Sequence, residues 1–413
     1  MNKEDIRRFK SLYDFRSDVL DVIIGGKSSL DTPNVFQIVT LEEADRFIQN
    51  YGYDLENPIE NAEILGNFHE GLNFIRKYFL KPENPNGLKL EIPRKILELT
   101  DVRELLLYAS YSRKGQSQDP QGENLQTWAC ALLKIMHTIT HIDKDLRTPY
   151  FSDIQKQIFD RYYKLVHRDA EGHLYLGERD DDPLRIDLKA FETKPKKSRD
   201  SIILKLLHKP ENVAEDIFDR VGIRFITPTK LSALRVVKYL KDKMVVIPSN
   251  IKPSRSRNTL LDLDAFRIQL IDTLKTLDDV STDKKLLEAK LEAAAVHPST
   301  GPTNPHSSQF YQALQFTARQ LIKLRNPMHE VIRDLRSAAK EAAPQLDLLK
   351  ILDRIDPKSI QKELRFFYSY EVQVVDQASA EENERGRSAH SEYKKAQVHT
   401  AMKRVMGVLG DGQ

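Results

Sequence analysis

The sequence predicts an α+β protein, with a helical N-terminal domain over residues 1–170 and a mixed-sheet domain over residues 171–413. Two observations carry this. Up to about residue 170, apolar residues recur at three- and four-residue spacing, the period of amphipathic helices. Beyond it, several segments alternate polar and apolar residues in the two-residue period of strands, and helical patterns separate them.

Within the first domain, Thr40-Leu-Glu-Glu43 has the form of a capping box, in which Glu43 reaches back to the cap N–H. Helical patterns follow at Ala62–Leu80, Val102–Ala109, Thr127–Ile142 and Ile154–Val166. Pro/Gly/polar loops at Lys81–Gly87 and Lys114–Gly122 punctuate them. His137 and His141 stand one turn apart, with Asp143 just beyond. That spacing suits a metal, but the chain has no adjacent His-Asp pair, and the pattern reads better as helix-face or core histidines.

In the second domain, Gly172–Gly177 and Leu184–Phe191 alternate as strands. A helix capped by Ser198 runs to Leu207, and the apolar run Ile217–Ile226 reads as a strand headed by Asp219. Helices follow at Lys230–Met244, Leu263–Leu277 and Lys284–Ala295. Tyr311–Ile322 is a strand candidate, Met328–Ile355 is helical, and Leu364–Val375 alternates around Glu371 and Gln373. A polar helix containing Gly386, His390, Tyr393 and Lys394 closes the pattern.

Composition bounds the function. The chain is 40% hydrophobic and 30% charged, as ordinary globular domains are. Its net charge of +3 supplies no global field for nucleic acid or membrane, so a basic site must be local. Cys130 is the sole cysteine, which excludes an internal disulfide and fits a reducing compartment. No secretory signal is visible, and no apolar run reaches the roughly 18 residues of a membrane span. A cytoplasmic, soluble protein is expected, without membrane partners.

The residues that suit phosphate chemistry fall in a few blocks. Lys194, Lys196, Lys197 and Lys205 surround the start of a helix, where backbone N–H groups also favour anions. Asp219 and Glu371 are strand-borne carboxylates, a natural pair of hard oxygen ligands for Mg²⁺ if their strands are neighbours. Tyr311 offers a ring for stacking a base, worth about 1–3 kcal/mol. Each has a plainer reading alone: a solvated lysine face, a turn aspartate, a glutamate pointing at water.

Their order adds information. Lys197 with Ser201-Ile-Ile-Leu-Lys205, Asp219-Arg-Val-Gly-Ile-Arg224, Tyr311-Gln-Ala-Leu-Gln315, Glu371-Val-Gln373 and Asn383-Glu384-Arg-Gly-Arg-Ser-Ala-His390-Ser-Glu-Tyr393-Lys394 follow one another. This series resembles the synthetase domain of the RelA/SpoT family over roughly residues 185–245, 307–320 and 365–396. The resemblance implies a nucleotidyltransferase-like sheet, interrupted by helical insertions at about 250–305 and 324–362. It implies Mg²⁺-dependent transfer of pyrophosphate from ATP to the 3′-hydroxyl of a guanine nucleotide, or to a tRNA-like acceptor, as in alarmone synthesis. By position, Asp219 and Glu371 would hold the metal, with Glu371 also a candidate general base and Glu384 a third catalytic acid. Lys194, Lys196, Lys197, Ser201 and Lys205 would meet ATP and Arg224 would stack on adenine. Tyr311 would stack on the acceptor base, and Gln315, Gln373 and His390 would complete the nucleotide contacts.

The chain also departs from that family. Pro195 stands where the first basic residue is expected, Gln309-Phe310 replaces Asn-Gly, and Gln315 replaces a histidine. Val374-Val375-Asp376 replaces a segment carrying a cation, and the hydrolase His-Asp motif of the long members is missing. These departures define a second reading, an inactive nucleotide- or RNA-binding scaffold on the same fold. A geometric demand follows as well. Asp219 and Arg224 are five residues apart, so in one regular strand they point to opposite faces.

Overall fold

The computed structural model describes residues 22, 24, 28, 38–110, 124–182, 184–194, 197–208, 220–275, 284–295, 311–342, 354, 361–385 and 390–407. In chain order they form α1 (Leu41–Tyr51), α2 (Pro58–Phe79), α3 (Arg94–Leu97), α4 (Val102–Ala109), α5 (Leu125–Asp143), α6 (Phe151–Tyr163), β1 (Val166–Arg168), β2 (Leu174–Leu176), β3 (Ile186–Leu188) and β4 (Ala190–Thr193). There follow α7 (Arg199–His208), β5 (Gly222–Thr227), α8 (Lys230–Asp242), β6 (Arg257–Asn258), α9 (Leu263–Lys275), α10 (Lys284–Ala294), β7 (Leu314–Arg325), α11 (Pro327–Ala342), β8 (Glu363–Asp376), α12 (Gln377–Arg385) and α13 (His390–Met406). The architecture is α+β. No described helix is long and apolar enough to cross a membrane.

Two compact units divide the chain. One draws on Met1–Thr148, Lys197–Ile217 and His390–Gln413, the other on Pro149–Lys196 and Phe218–Ala389. The single crossing near residue 170 suggested by the sequence is replaced by an earlier one, and two later segments return to the helical unit.

In the helical unit, α5 buries a broad face that includes Trp128, Leu132, Ile135 and Ile139, the apolar side of an amphipathic helix. α2 lays Ile64, Phe68, Leu72, Ile75 and Phe79 into the same core. The cause of the returning segment is visible in α7. Ile202, Ile203, Leu204, Leu206 and Leu207 are all buried there, too wide an apolar surface for a helix on the outside of a sheet. Arg199 fixes its start by pairing with Glu70 at 2.6 Å and with Asp143. Ser198 caps it as expected, accepting from the Ser201 N–H at 3.3 Å. At α1 the Thr40 hydroxyl accepts from the Glu43 N–H, whereas the Glu43 carboxylate reaches past the cap to the Val39 N–H at 2.8 Å.

The histidine pair of α5 serves packing in this structure. His137 Nδ1 lies 2.6 Å from the Tyr51 hydroxyl, and the His137 and His141 rings meet edge to face. Burial, helped by His141, pushes His137 down to about 4. Asp143 belongs to Arg199. Cys130 is partly buried, and burial pushes its thiol up to about 11.

The second unit holds an antiparallel sheet β1-β2-β3 and a mixed sheet in the order β4-β5-β8-β7-β6. In the mixed sheet only the β5–β8 pair is parallel. One face carries Ile223, Phe225, Tyr370, Val372, Val374, Ala318 and Ile322 into a core shared with α6 and α8. The valines, isoleucines and phenylalanine among these each contribute about 1.5–3 kcal/mol by leaving water. The strand expected at Ile217–Ile226 begins at Gly222 instead, and residues 211–219 lie outside the described residues. The stretch 250–305, expected to be helical decoration, supplies β6, the fifth strand. The stretch 324–362 is entered by β7 and left by β8, with α11 between them.

Candidate functional site

The opposite face of the mixed sheet is polar. Strand alternation sends Glu192, Arg224, Gln373, Gln315 and Arg257 to it as one row, through the pairings Glu192↔Arg224, Arg224↔Gln373, Gln315↔Gln373 and Arg257↔Gln315. The adjacent row is Gly222, Glu371 and Thr317. Lys194 joins this row at the end of β4, its N–H donating to the Gly222 carbonyl at 2.8 Å. At the far end of the face, Ala190, Ile226 and Val375 are closed off by Ala380 of α12.

Glu371 is the centre. It is 5% exposed, and its Oε2 accepts from Lys194 Nζ at 2.8 Å. Its Oε1 accepts from the Gln315 side-chain amide. The lysine reaches it by crossing β5 over Gly222. A Cβ on that glycine would stand 2.5 Å from Lys194 Cδ, so only a residue without a side chain leaves this path open.

Arg224 lies one row on. Its Nη1 is 3.4 Å from Glu192 Oε2 and 3.3 Å from Glu384 Oε1, while its buried Nε has no hydrogen-bond partner among the described residues. Tyr311 sits just before β7, half-buried, with its hydroxyl accepting from the Gln373 amide. Burial raises its pKa, against the pull of the Lys194 and Arg224 charges. The segment is held over the face by α12: Gln312 N–H donates to Asn383 Oδ1 at 3.1 Å, and Asn383 Nδ2 donates to the Gln312 carbonyl at 2.8 Å. The Ser379 hydroxyl donates to Gln312 Oε1 at 3.0 Å.

Of the residues singled out from sequence, Lys194, Arg224, Tyr311, Gln315, Glu371, Gln373 and Glu384 therefore gather at one face. Lys197, Ser201, Lys205 and His390 belong to the other compact unit. Asp219 and Lys196 lie outside the described residues, so the demand on Asp219 and Arg224 concerns a residue ahead of the described strand. Sequence reasoning missed three supporting residues. Gly222 was visible only as the small position of its block. Asn383 stood in a matched block without a role. Glu192 carries no signal until β4 pairs with β5.

Mg²⁺ prefers hard oxygen ligands in an octahedron at about 2.0–2.1 Å. Both oxygens of Glu371 face nitrogen donors, one of them an ammonium. Glu192 and Glu384 face Arg224. As arranged, the described residues of this face do not make a Mg²⁺ site. The one group of three potential ligands among the described residues, Asp169, Glu171 and His173, is elsewhere, and Asp169 there pairs with Arg185 at 2.6 Å.

What the face can do follows from its charges. It offers one buried carboxylate that can accept a proton, an ammonium beside it that can turn to an arriving anion, and a guanidinium N–H unpaired among the described residues. A scan against protein-family models, a search of curated proteins and a search of solved structures each returned no match.

Proposed function

We propose that the polar face of the mixed sheet binds nucleotides and transfers pyrophosphate from ATP to the 3′-hydroxyl of a guanine nucleotide. The supporting observation is convergence. Residues from five separate segments, Lys194, Arg224, Tyr311 with Gln315, Glu371 with Gln373, and Glu384, share one face of one sheet.

In this reading Lys194 holds Glu371 at rest and turns to the phosphates when ATP arrives, which frees Oε2. The acceptor hydroxyl then attacks the β-phosphorus. An O–P bond forms, the bond from the β-phosphorus to the oxygen that bridges it to the α-phosphorus breaks, AMP leaves with that oxygen, and Glu371 takes the proton. Lys194 and the Arg224 Nε–H stand beside the charge that develops, where donors fixed in advance are most effective. Positioning and neutralisation carry most of such a reaction.

The test uses pure protein and γ-labelled ATP with GDP, GTP, ADP or tRNA as acceptor, in the presence and absence of Mg²⁺. Label should pass to a guanine nucleotide, and Glu371→Gln should slow it by about 10²–10⁴-fold. Absence of transfer to every acceptor overturns the enzymatic reading.

One observation favours the second reading, a nucleotide-binding scaffold without turnover. Glu371 is already engaged on both oxygens, by Lys194 and by Gln315. That reading expects calorimetric ATP or GTP binding that survives Glu371→Gln, with no product formed.

A further inference from the structure

The polar face does not stop at Glu371. β7 and β8 pair through 12 positions, from Leu314↔Val374 to Arg325↔Glu363, whereas β5 accompanies β8 only from Glu371 to Asp376. Beyond Glu371 the two strands continue as a ribbon. Alternation keeps its outward side on the same face as Gln315 and Gln373.

That outward side has a distinct composition. From β7 it takes Arg319, Leu321, Lys323 and Arg325, and from β8 it takes Ser369, Phe367, Arg365 and Glu363. Four are cations and one is a carboxylate, Glu363, which Arg365 meets at 2.8 Å. Phe367 is 54% exposed and Leu321 41%. The Arg319 guanidinium lies 5.9 Å from the Phe367 ring centroid.

The inward side is rigidly backed. Tyr368, Tyr370, Ile322 and Leu324 are in the core. Gln157 of α6 bonds both the carbonyl and the N–H of Lys323, at 2.8 and 3.2 Å. The six steps of strand from Glu371 back to Arg365 span about 20 Å at roughly 3.4 Å per residue.

We infer that this outward side is a binding track for single-stranded nucleic acid, with a base stacked at Phe367 and the phosphates along Arg319, Lys323, Arg325 and Arg365. The chemistry is specific to that ligand. Cations track a phosphate backbone, and an exposed ring flanked by them stacks a base of any identity. A protein partner would be served as well by an aliphatic strip, and a phosphate alone has no use for the ring. Cations on a ribbon edge also deter strand addition, which is the competing explanation for the charges but not for the exposed phenylalanine. The track leads onto the face that holds Glu371, yet the inference stands apart from any catalysis there.

The test needs neither ATP nor metal. Full-length protein is titrated into a fluorescein-labelled oligouridylate of about a dozen nucleotides, between about 50 and 200 mM salt. Binding should weaken with salt, the logarithmic slope being about 0.7 per phosphate neutralised. Phe367→Leu, which keeps apolar bulk and removes the ring, should weaken binding about 5- to 100-fold. The double variant Arg319→Gln, Arg365→Gln should flatten the salt slope. These side chains are exposed, so circular dichroism should show all variants folded. Absence of binding at the lowest salt, or binding untouched by these variants, overturns the inference. So does equal competition by polyglutamate, which would reduce the strip to a general polyanion surface. Oligonucleotide binding without nucleotidyl transfer would sink only the catalytic proposal, and transfer to a free guanine nucleotide without oligonucleotide binding would sink only this one.

Discussion

β8 turns Tyr370, Val372 and Val374 to one side of the sheet and Glu371 and Gln373 to the other, and all five are buried. On the apolar side burial is its own reward, since any well-packed hydrocarbon stabilises. The polar side is governed by pairing. Glu371 has Lys194 and Gln315, Gln373 has the Tyr311 hydroxyl, and the Arg224 Nε has nothing among the described residues. A buried donor without a partner costs about 1–3 kcal/mol. One face therefore holds the sheet together, and the other keeps an unmet demand that a ligand can satisfy.

The largest break in that contrast should come from the apolar side. Phe225→Ala should lose about 3–5 kcal/mol of unfolding free energy in urea titration. It should leave the polar contacts of Glu371 unchanged in any fraction that still folds. Gly222→Val should come next, at about 1–3 kcal/mol, because its side chain occupies the path of Lys194. Its diagnostic is functional: nucleotide binding by calorimetry should fall while the apolar core stays intact.

Glu371→Gln should cost only about 1 kcal/mol, since Lys194 is one-third exposed and can turn to water. Loss of several kcal/mol would show that the pair is structural and would remove the argument for a resting switch.

The smallest effect sharpens the comparison through pH. Tyr370 on the apolar face and Tyr311 on the polar face both have raised pKa values, burial being the main cause in each. A phenol raised in the folded state contributes stability below its unfolded pKa near 10, and that stability is lost as pH rises through the folded value. Stability should therefore fall above pH 10. Tyr311→Phe and Tyr370→Phe should each remove part of that fall, because burial outweighs the neighbouring cations at both phenols. Absorbance-monitored tyrosine titration with urea melts at each pH checks both.

Much of this was legible in the sequence because it is local. The two-residue period at Leu364–Val375 placed Glu371 and Gln373 on the face opposite Val372 and Val374 before any pairing was known. Helical spacing located α4 at Val102–Ala109, and Lys230–Met244 differs from α8 only at its end. β6 was not legible, because Arg257-Asn258 has no strand signal and is a strand only by bonding to β7. The membership of α7 in the helical unit was hidden for a similar reason. Its basic start resembles a phosphate site, but five buried apolar residues direct where it packs.

The sequence by itself determined the longer elements and the face each side chain takes within them, since both follow from backbone geometry within a few residues. The tertiary structure decided which faces meet. That Lys194 crosses Gly222 to Glu371, and that Arg224, Gln373 and Gln315 fall in one row, depends on β5 lying parallel to β8 in one register. Hydrogen bonds between residues more than a hundred positions apart set that register, and no local pattern encodes it.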